Sequence, residues 1–272
     1  MLHFPTSPFE IIKSVWRNRE LIYASTKREV LGRYRGSFLG LLWSLLTPIF
    51  MLAVYTFVFG EIFKARWNDS NQSQAEFALV LFAGLIVFNL FAECINRAPS
   101  LILSNPNYVK KVVFPLEILP CITLCAALYH ALISFTVWLI AYTMLFGPPP
   151  LTVIYLPLVI LPFSLFILGL GWILTSLGVF LRDVSQLVNV ITTTLMFLSP
   201  IFYPASALPE AYRYFIYLNP LTFVIEMTRN LLYWGKLPEL GLLVTYWLAS
   251  SLIAWLGFVW FQKTRKGFAD VL

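Results

Sequence analysis

Charge is scarce in this chain. Asp, Glu, Lys and Arg make up 12% of its 272 residues, about half the share usual in a soluble domain, and the mean hydropathy is +0.79. Between Ile118 and Leu181 none of the four occurs. A soluble core has no means of concealing 64 successive uncharged residues. The breaker Gly147-Pro148-Pro149-Pro150 divides them into halves, each longer than the roughly 20 apolar residues that cross a bilayer. A soluble fold is thereby excluded, and lipid becomes the main solvent.

Other shortages narrow the chemistry. Histidine occurs only as His3 and His130, and cysteine only as Cys94, Cys121 and Cys125. Cys121 and Cys125 lie one helical turn apart in apolar sequence and Cys94 is distant, so neither a disulfide framework nor a zinc site is expected and the thiols read as packing. A lone His130 in an apolar span reads as a hydrogen-bonded core residue. No nucleophile has an evident base, and no Gly-x-x-x-x-Gly-Lys-Ser/Thr phosphate loop is present. No catalytic or metal residue is therefore assigned, the chain is not expected to be an enzyme, and any ATP-driven work requires a separate motor subunit. The first 37 residues are polar and basic, so no cleavable signal is expected and the first span acts as its own uncleaved signal.

Apolar runs dominate what remains. Bounded by flanking charges, six spans are predicted: Gly36–Gly60, Phe77–Ile95, Ile118–Phe146, Leu151–Leu181, Val184–Tyr203 and Leu240–Gln262. The second carries Glu93 near its end. The expected fold is an all-α integral membrane protein, with a cytosolic amphipathic segment over 1–37 and one six-helix domain over 38–272. With both termini in the cytosol, 14 of the 19 basic residues face inward, leaving Lys64, Arg66, Arg213, Arg229 and Lys236 outside, as the positive-inside rule requires. The net charge of +6 thus reflects orientation toward anionic lipid, and no nucleic acid partner is expected.

Three segments are neither span nor plain loop. Pro8 to Arg35 interleaves Ile11, Ile12, Val15, Trp16, Leu21, Ile22, Val30, Leu31 and Tyr34 with basic residues, which fits one or two helices lying on the interface; a basic tail without fixed structure is the alternative. The loop 97–114 predicts a short surface helix, with Pro99 in its first turn and Asn105-Pro106 at its end. There Leu101, Ile102 and Leu103 face the cytosol as a docking element, or the loop tucks against the membrane. Pro200 and Pro204 break the fifth helix, and the segment 204–239 that follows is too apolar for a free loop and too interrupted by Glu210, Arg213, Glu226 and Arg229 to span. It fits a re-entrant pair of half-helices, with Asn219 as N-cap, Pro220 in the first turn and Glu226 paired to Arg229 at i,i+3. An interfacial hairpin with a structural ion pair is the other reading.

Two polar stripes follow helical spacing: Gln186, Asn189, Thr193 and Phe197 in the fifth span, and Ser44, Thr47, Met51, Tyr55 and Phe59 in the first. They line a path, or they join helices through hydrogen bonds. Six spans are few for a complete path, so a homodimer supplying twelve is expected.

The pieces in order resemble the membrane subunit of bacterial ABC-type polysaccharide exporters, over nearly the whole chain. The resemblance rests on Arg33-Tyr34-Arg35-Gly36-Ser37-Phe38-Leu39-Gly40 with Trp43 and Pro48, on Asn105 to Pro115 followed by Glu117-Ile118-Leu119-Pro120, and on Arg182-Asp183-Val184. Ser199-Pro200-Ile201-Phe202-Tyr203 and Asn219-Pro220-Leu221 with Glu226 and Arg229 complete it. It implies a homodimer in the inner membrane with two copies of a cytosolic ATPase that uses ATP and Mg, this chain binding no cofactor. It also implies a cargo of polysaccharide on an undecaprenyl-type lipid, O-antigen foremost, with capsule or teichoic acid as related cargoes. By that likeness Ser100, Leu101, Ile102, Leu103, Ser104, Asn105, Pro106, Asn107 and Tyr108 form the coupling helix and Ile11 to Tyr34 the interface segment. Pro200, Tyr203, Asn219, Pro220, Glu226 and Arg229 belong to a periplasmic gate around Ala205 to Tyr233. Aromatic rings, 17% of the chain, suit sugar C–H faces, and Tyr55, Phe59, Phe197 and Tyr203 are expected on the route; aromatic belts at the membrane interfaces would draw the same residue types. An exporter of small lipids or drugs and a membrane-embedded transferase are the alternatives.

Overall fold

The computed structural model describes residues 5–62, 67, 74–110, 114–205 and 209–271; Lys64 and Arg66, placed outside by topology above, and His3 lie beyond these. Every regular element among the described residues is helical: α1 (Pro8–Arg17), α2 (Arg19–Arg33), α3 (Leu42–Tyr55), α4 (Gln74–Arg97), α5 (Pro106–Lys110), α6 (Leu119–Phe146), α7 (Leu156–Phe180), α8 (Val184–Leu198), α9 (Glu210–Leu218), α10 (Pro220–Leu232), α11 (Leu240–Thr264) and α12 (Phe268–Val271).

Five of the six expected spans are helices long and apolar enough to cross a membrane: Leu42–Ile62, Ala75–Ser100, Leu116–Phe146, Leu151–Phe180 and Leu240–Val271. The first begins later than Gly36, because Gly36 and Gly40 adopt positive φ of 86° and 51°, a conformation that interrupts a right-handed helix. The fifth differs most. α8 has 15 residues, about 22 Å of rise, and stops where Ser199 turns extended at φ −89°, ψ 149°, ahead of Pro200. The run from Val184 to Tyr203 is therefore a short helix followed by an irregular turn, because the residue before a proline is pushed out of the helical region.

The core is organised around α4, α6, α7 and α10. α4 is the most enclosed span, with 78% of its apolar window buried, whereas α3 has 6%. Trp138 of α6 donates its indole N–H to the Leu79 carbonyl of α4 at 2.9 Å. α7 and α11 cross at glycines. A Cβ on Gly169 would stand 2.5 Å from the Ile253 carbonyl oxygen, and one on Gly257 would stand 2.1 Å from the Gly169 oxygen, so only glycine permits this approach. α10 buries Leu221, Val224, Ile225, Leu231 and Leu232 in the same core.

The N-terminal segment is two helices packed on the bundle. α1 leaves Phe9, Ile12 and Trp16 exposed on one side, spaced i, i+3 and i+7 as an interfacial helix requires. α2 turns Ile22 and Val30 inward and is held by ion pairs, Arg33 to Glu93 and Arg97 to Glu29. His130 joins this network: its Nδ1 lies 3.2 Å from both Glu93 oxygens and 3.0 Å from Arg33. It is a hydrogen-bonded core histidine, though in company that its isolation within the third span did not announce.

Candidate functional site

Three regions carry the polar chemistry. The first is the turn that follows α8. Arg229 of α10 is 0% exposed, and a buried guanidinium is tolerated only when its donors are matched. They are matched chiefly by backbone. Nε donates to the Val80 carbonyl at 3.0 Å, Nη2 to the Ile201 carbonyl at 2.7 Å, and Nη1 to the Pro200 carbonyl. The guanidinium carbon also lies 4.2 Å from the centroid of the Trp67 ring, a cation–π contact. Glu226 approaches Nη1 at 3.4 Å with its side chain 30% exposed. The predicted i,i+3 pair exists, but it is the longest of these bonds, because the carbonyls of Pro200 and Ile201, in the irregular turn after α8, compete for the same donors. Gly84 supplies the space, since a Cβ there would meet Arg229 Nη2 at 2.7 Å.

Asn219 fastens the same turn from the other side. Its Oδ1 accepts from the Leu221 N–H at 3.0 Å, the expected N-cap, while Nδ2 donates to Ser199 Oγ at 2.9 Å. Pro220 occupies the first turn of α10. Pro200 is buried and Tyr203 half-buried, the Tyr203 hydroxyl donating to the Phe197 carbonyl at 3.0 Å. The predicted gate residues thus meet in one place, where Arg229 of α10 and its N-cap Asn219 hold the turn 199–201 and Arg229 also ties it to α4.

The second region is the outward face of α8. Gln186, Asn189, Thr193 and Phe197, with Val190 and Thr194, share one open face of the helix. Within one chain this face belongs to α8 alone, and the Thr193 and Thr194 hydroxyls donate to the Asn189 and Val190 carbonyls of the same helix. On α3, Ser44 and Thr47 spend their hydroxyls on the Leu41 and Trp43 carbonyls of their own helix, and Met51 is exposed. Tyr55 and Phe59 do converge on α8 through a residue that the sequence reading placed in a motif without assigning it to the route. Phe202 stacks on Phe59 at 5.8 Å and on Phe197 at 6.0 Å, and Tyr55 lies 6.4 Å from Phe59. The helical spacing of the stripes gave no sign of Phe202, because it follows the break in the helix.

The third region is the loop after α4. Ala98–Ser100 is a single 3-10 turn, 101–104 are turns, and α5 starts at Pro106. Pro106 therefore opens a helix where one was expected to end, its missing N–H being harmless in the first turn. Leu101 is 9% and Ile102 0% exposed, which corrects their assignment to a cytosol-facing surface. They pack with Trp172, Phe258, Phe261 and Phe268, partners from α7, α11 and α12 that cover the apolar side. Leu103 is half-buried, and the outward residues are Ser104, Pro106 and Asn107. Ser100 donates to the Arg97 carbonyl, and Asn105 donates to the Leu101 carbonyl. Tyr108 stacks on Phe114 at 4.2 Å and accepts from Arg28 at 2.8 Å. Between α2 and this loop lies a polar cavity of about 270 Å³.

Comparison with known proteins places these features in a family. A model of the ABC-2 type transporter family matches residues 20–233, which include α3 to α10 and hence all three regions. The chain is 27% identical, over 96% of its length and 98% of the relative's, to an O-antigen export system permease protein, RfbA, of Myxococcus xanthus. It is 25% identical to a protein of the same name from Klebsiella pneumoniae, over 93% of this chain and 95% of that one. Similarity extends to a polysialic acid transport protein, KpsM, of Escherichia coli, at 27% over 83% and 86%. With most of its length matched, from within α2 to the end of α10, the chain belongs to the ABC-2 type transporter membrane family.

Proposed function

We propose that this chain is the transmembrane subunit of an ATP-driven exporter that moves lipid-linked polysaccharide, foremost O-antigen, from cytosol to periplasm across the inner membrane. It works as a homodimer with two copies of a separate ATPase. The observation that carries the reading is the open face of α8: the Gln186 and Asn189 amides, in line with Thr193 and ending in stacked aromatic rings, stand uncovered on a helix flanked by membrane-length spans. Polar side chains on such a helix are costly against hydrocarbon and suited to a wet path. A second copy facing α8 and the exposed α3 would enclose it. Hydroxyl-rich cargo matches the Gln186 and Asn189 amides as donors and acceptors and the Thr193 hydroxyl oxygen as an acceptor, and matches Phe197, Phe202 and Phe59 as surfaces for sugar C–H faces. The names borne by relatives matched along nearly their full lengths support the cargo class.

In this reading both termini are cytosolic. α8 with the turn 199–205 makes the fifth of six crossings, and α9 and α10 form the re-entrant gate on the periplasmic side. Ser104, Pro106, Asn107 and Tyr108 face the ATPase, while Leu101 and Ile102 hold the loop from behind.

A photo-crosslinking residue at Thr193, with the chain co-expressed with its ATPase, is expected to capture lipid-linked glycan and, in the unloaded protein, a second copy of the chain. Capture of small lipids alone, with surface polysaccharide undiminished in cells lacking the chain, would replace the polysaccharide reading with export of small lipids or drugs.

A further inference from the structure

At the end of the bundle that carries the loop 98–110, a buried carboxylate joins four segments that are remote in sequence. Glu117, in the 3-10 turn before α6, is 7% exposed, yet both its oxygens are occupied by groups from the chain's two ends. Ser14 of α1 donates to Oε1 at 3.0 Å, and Arg265, just past α11, donates to Oε2 at 2.6 Å. The Glu117 backbone carbonyl accepts from the Trp172 indole of α7 at 2.8 Å, and the other arm of Arg265 donates to the Phe114 carbonyl at 3.1 Å.

The arrangement reaches the loop by two routes. Phe114 stacks face to face on Tyr108, 4.2 Å between centroids and 7° between planes. Beyond Arg265, Phe268 is fully buried against Phe180 and Phe261, and α12 touches α5. The C-terminal residues thus form a strap across the loop. A salt bridge this enclosed contributes little net stability against a well-packed apolar substitute. What it supplies is register between parts, since two opposite charges so far from water have one low-energy arrangement.

We propose that Glu117, with Arg265, is the positioning residue that makes the loop, the amphipathic α1, α7 and the C-terminal strap one mechanical unit. ATPase movement felt at Tyr108 is thereby delivered to the bundle and to the interface helix together. The inference rests on the reading of 104–108 as the ATPase-facing surface. Glu117 touches neither cargo nor nucleotide; it acts through Phe114, Ser14 and Trp172. Coupling of this kind requires a contiguous set of parts that shift together.

The test uses the full chain co-expressed with its ATPase, measuring complex stoichiometry, the KM and kcat of ATP hydrolysis, and surface polysaccharide formed per ATP consumed. Glu117→Gln and Arg265→Ala are expected to keep the complex and the KM for ATP while export per ATP falls roughly tenfold. Arg265→Lys, which still reaches the carboxylate, should recover most of it. Ser14→Ala removes the bond to Glu117 and a long one from Asn18 while leaving the Glu117–Arg265 pair in place, and is expected to lose about threefold. Variants that bind the ATPase and export per ATP as the unaltered chain does overturn the proposal, as does loss of export only in proportion to lost complex. An unaltered chain that fails to bind the ATPase removes the subunit reading first, which is a different result from variants that bind and couple normally.

Discussion

Two arginines anchor the two ends of this molecule in opposite ways. Arg229 reads as the partner of a nearby carboxylate and in fact holds backbone, three carbonyls from α4 and from the turn after α8. Arg265 lies in a basic tail suggestive only of membrane topology and in fact holds a buried carboxylate. The difference follows from what each end must satisfy. At the Arg229 end the irregular turn after α8 lies in apolar surroundings and leaves the Pro200 and Ile201 carbonyls without a backbone partner that water could replace. At the Arg265 end the backbone of α6 begins in a 3-10 turn, and the group in need is a carboxylate. A guanidinium serves both, because its five donors can be divided among separate acceptors.

The contrast can be tested by substitution. Arg229→Ala strands the two buried carbonyls of Pro200 and Ile201 and opens a space beside Trp67, and is expected to cost about 3–5 kcal/mol, read as a lost or steeply lowered unfolding midpoint in detergent. A near-native midpoint would mean that the turn holds itself. Glu117→Ala at the other end is expected to cost less, about 2–3 kcal/mol, because Arg265 retains the Phe114 carbonyl and its side chain is 16% exposed. A cost equal to that of Arg229→Ala would erase the distinction between the two anchors. Gly84→Ala presses a methyl on Arg229 without touching any charge and is expected to cost about 1–3 kcal/mol, with export reduced in step; an unchanged midpoint would show that the guanidinium has room to move.

Glu226→Gln is the mildest, under about 1 kcal/mol, since its carboxylate is partly exposed and stands 3.4 Å from Arg229. The double substitution E226R with R229E should not recover what Arg229→Ala loses, for a carboxylate at 229 cannot donate to carbonyls. Recovery by that swap would restore the simple ion pair as the explanation.

Local signals were legible where the chemistry is local. Asn219-Pro220 spells a helix start, and the structure has it there with the cap bonded. Pro200 ends α8, and the alternation of polar groups at 186, 189 and 193 appears as one open face. Long-range partners were not legible. Leu101 and Ile102 read as surface because their cover arrives from α7, α11 and α12, some 70 to 167 residues further on. His130 looked solitary because Glu93 and Arg33 come from other helices. Phe202 escaped because a residue in an irregular turn belongs to no periodic stripe.

Composition and periodicity were enough to make this a bundle of membrane-length helices with its turns at Gly147 and Pro200, since both follow from the cost of placing charge or unpaired backbone in hydrocarbon. They could not tell which apolar faces would meet protein and which would meet lipid or a second copy. Hydrocarbon and a protein core are nearly equal as solvents for Leu and Phe, so α3 and α4 read alike although one is almost bare and the other enclosed. Close approach at Gly169 and Gly257, and the sharing of Arg229 and Glu117 among distant segments, made that choice. Packing distance and hydrogen-bond geometry discriminate where hydrophobicity does not.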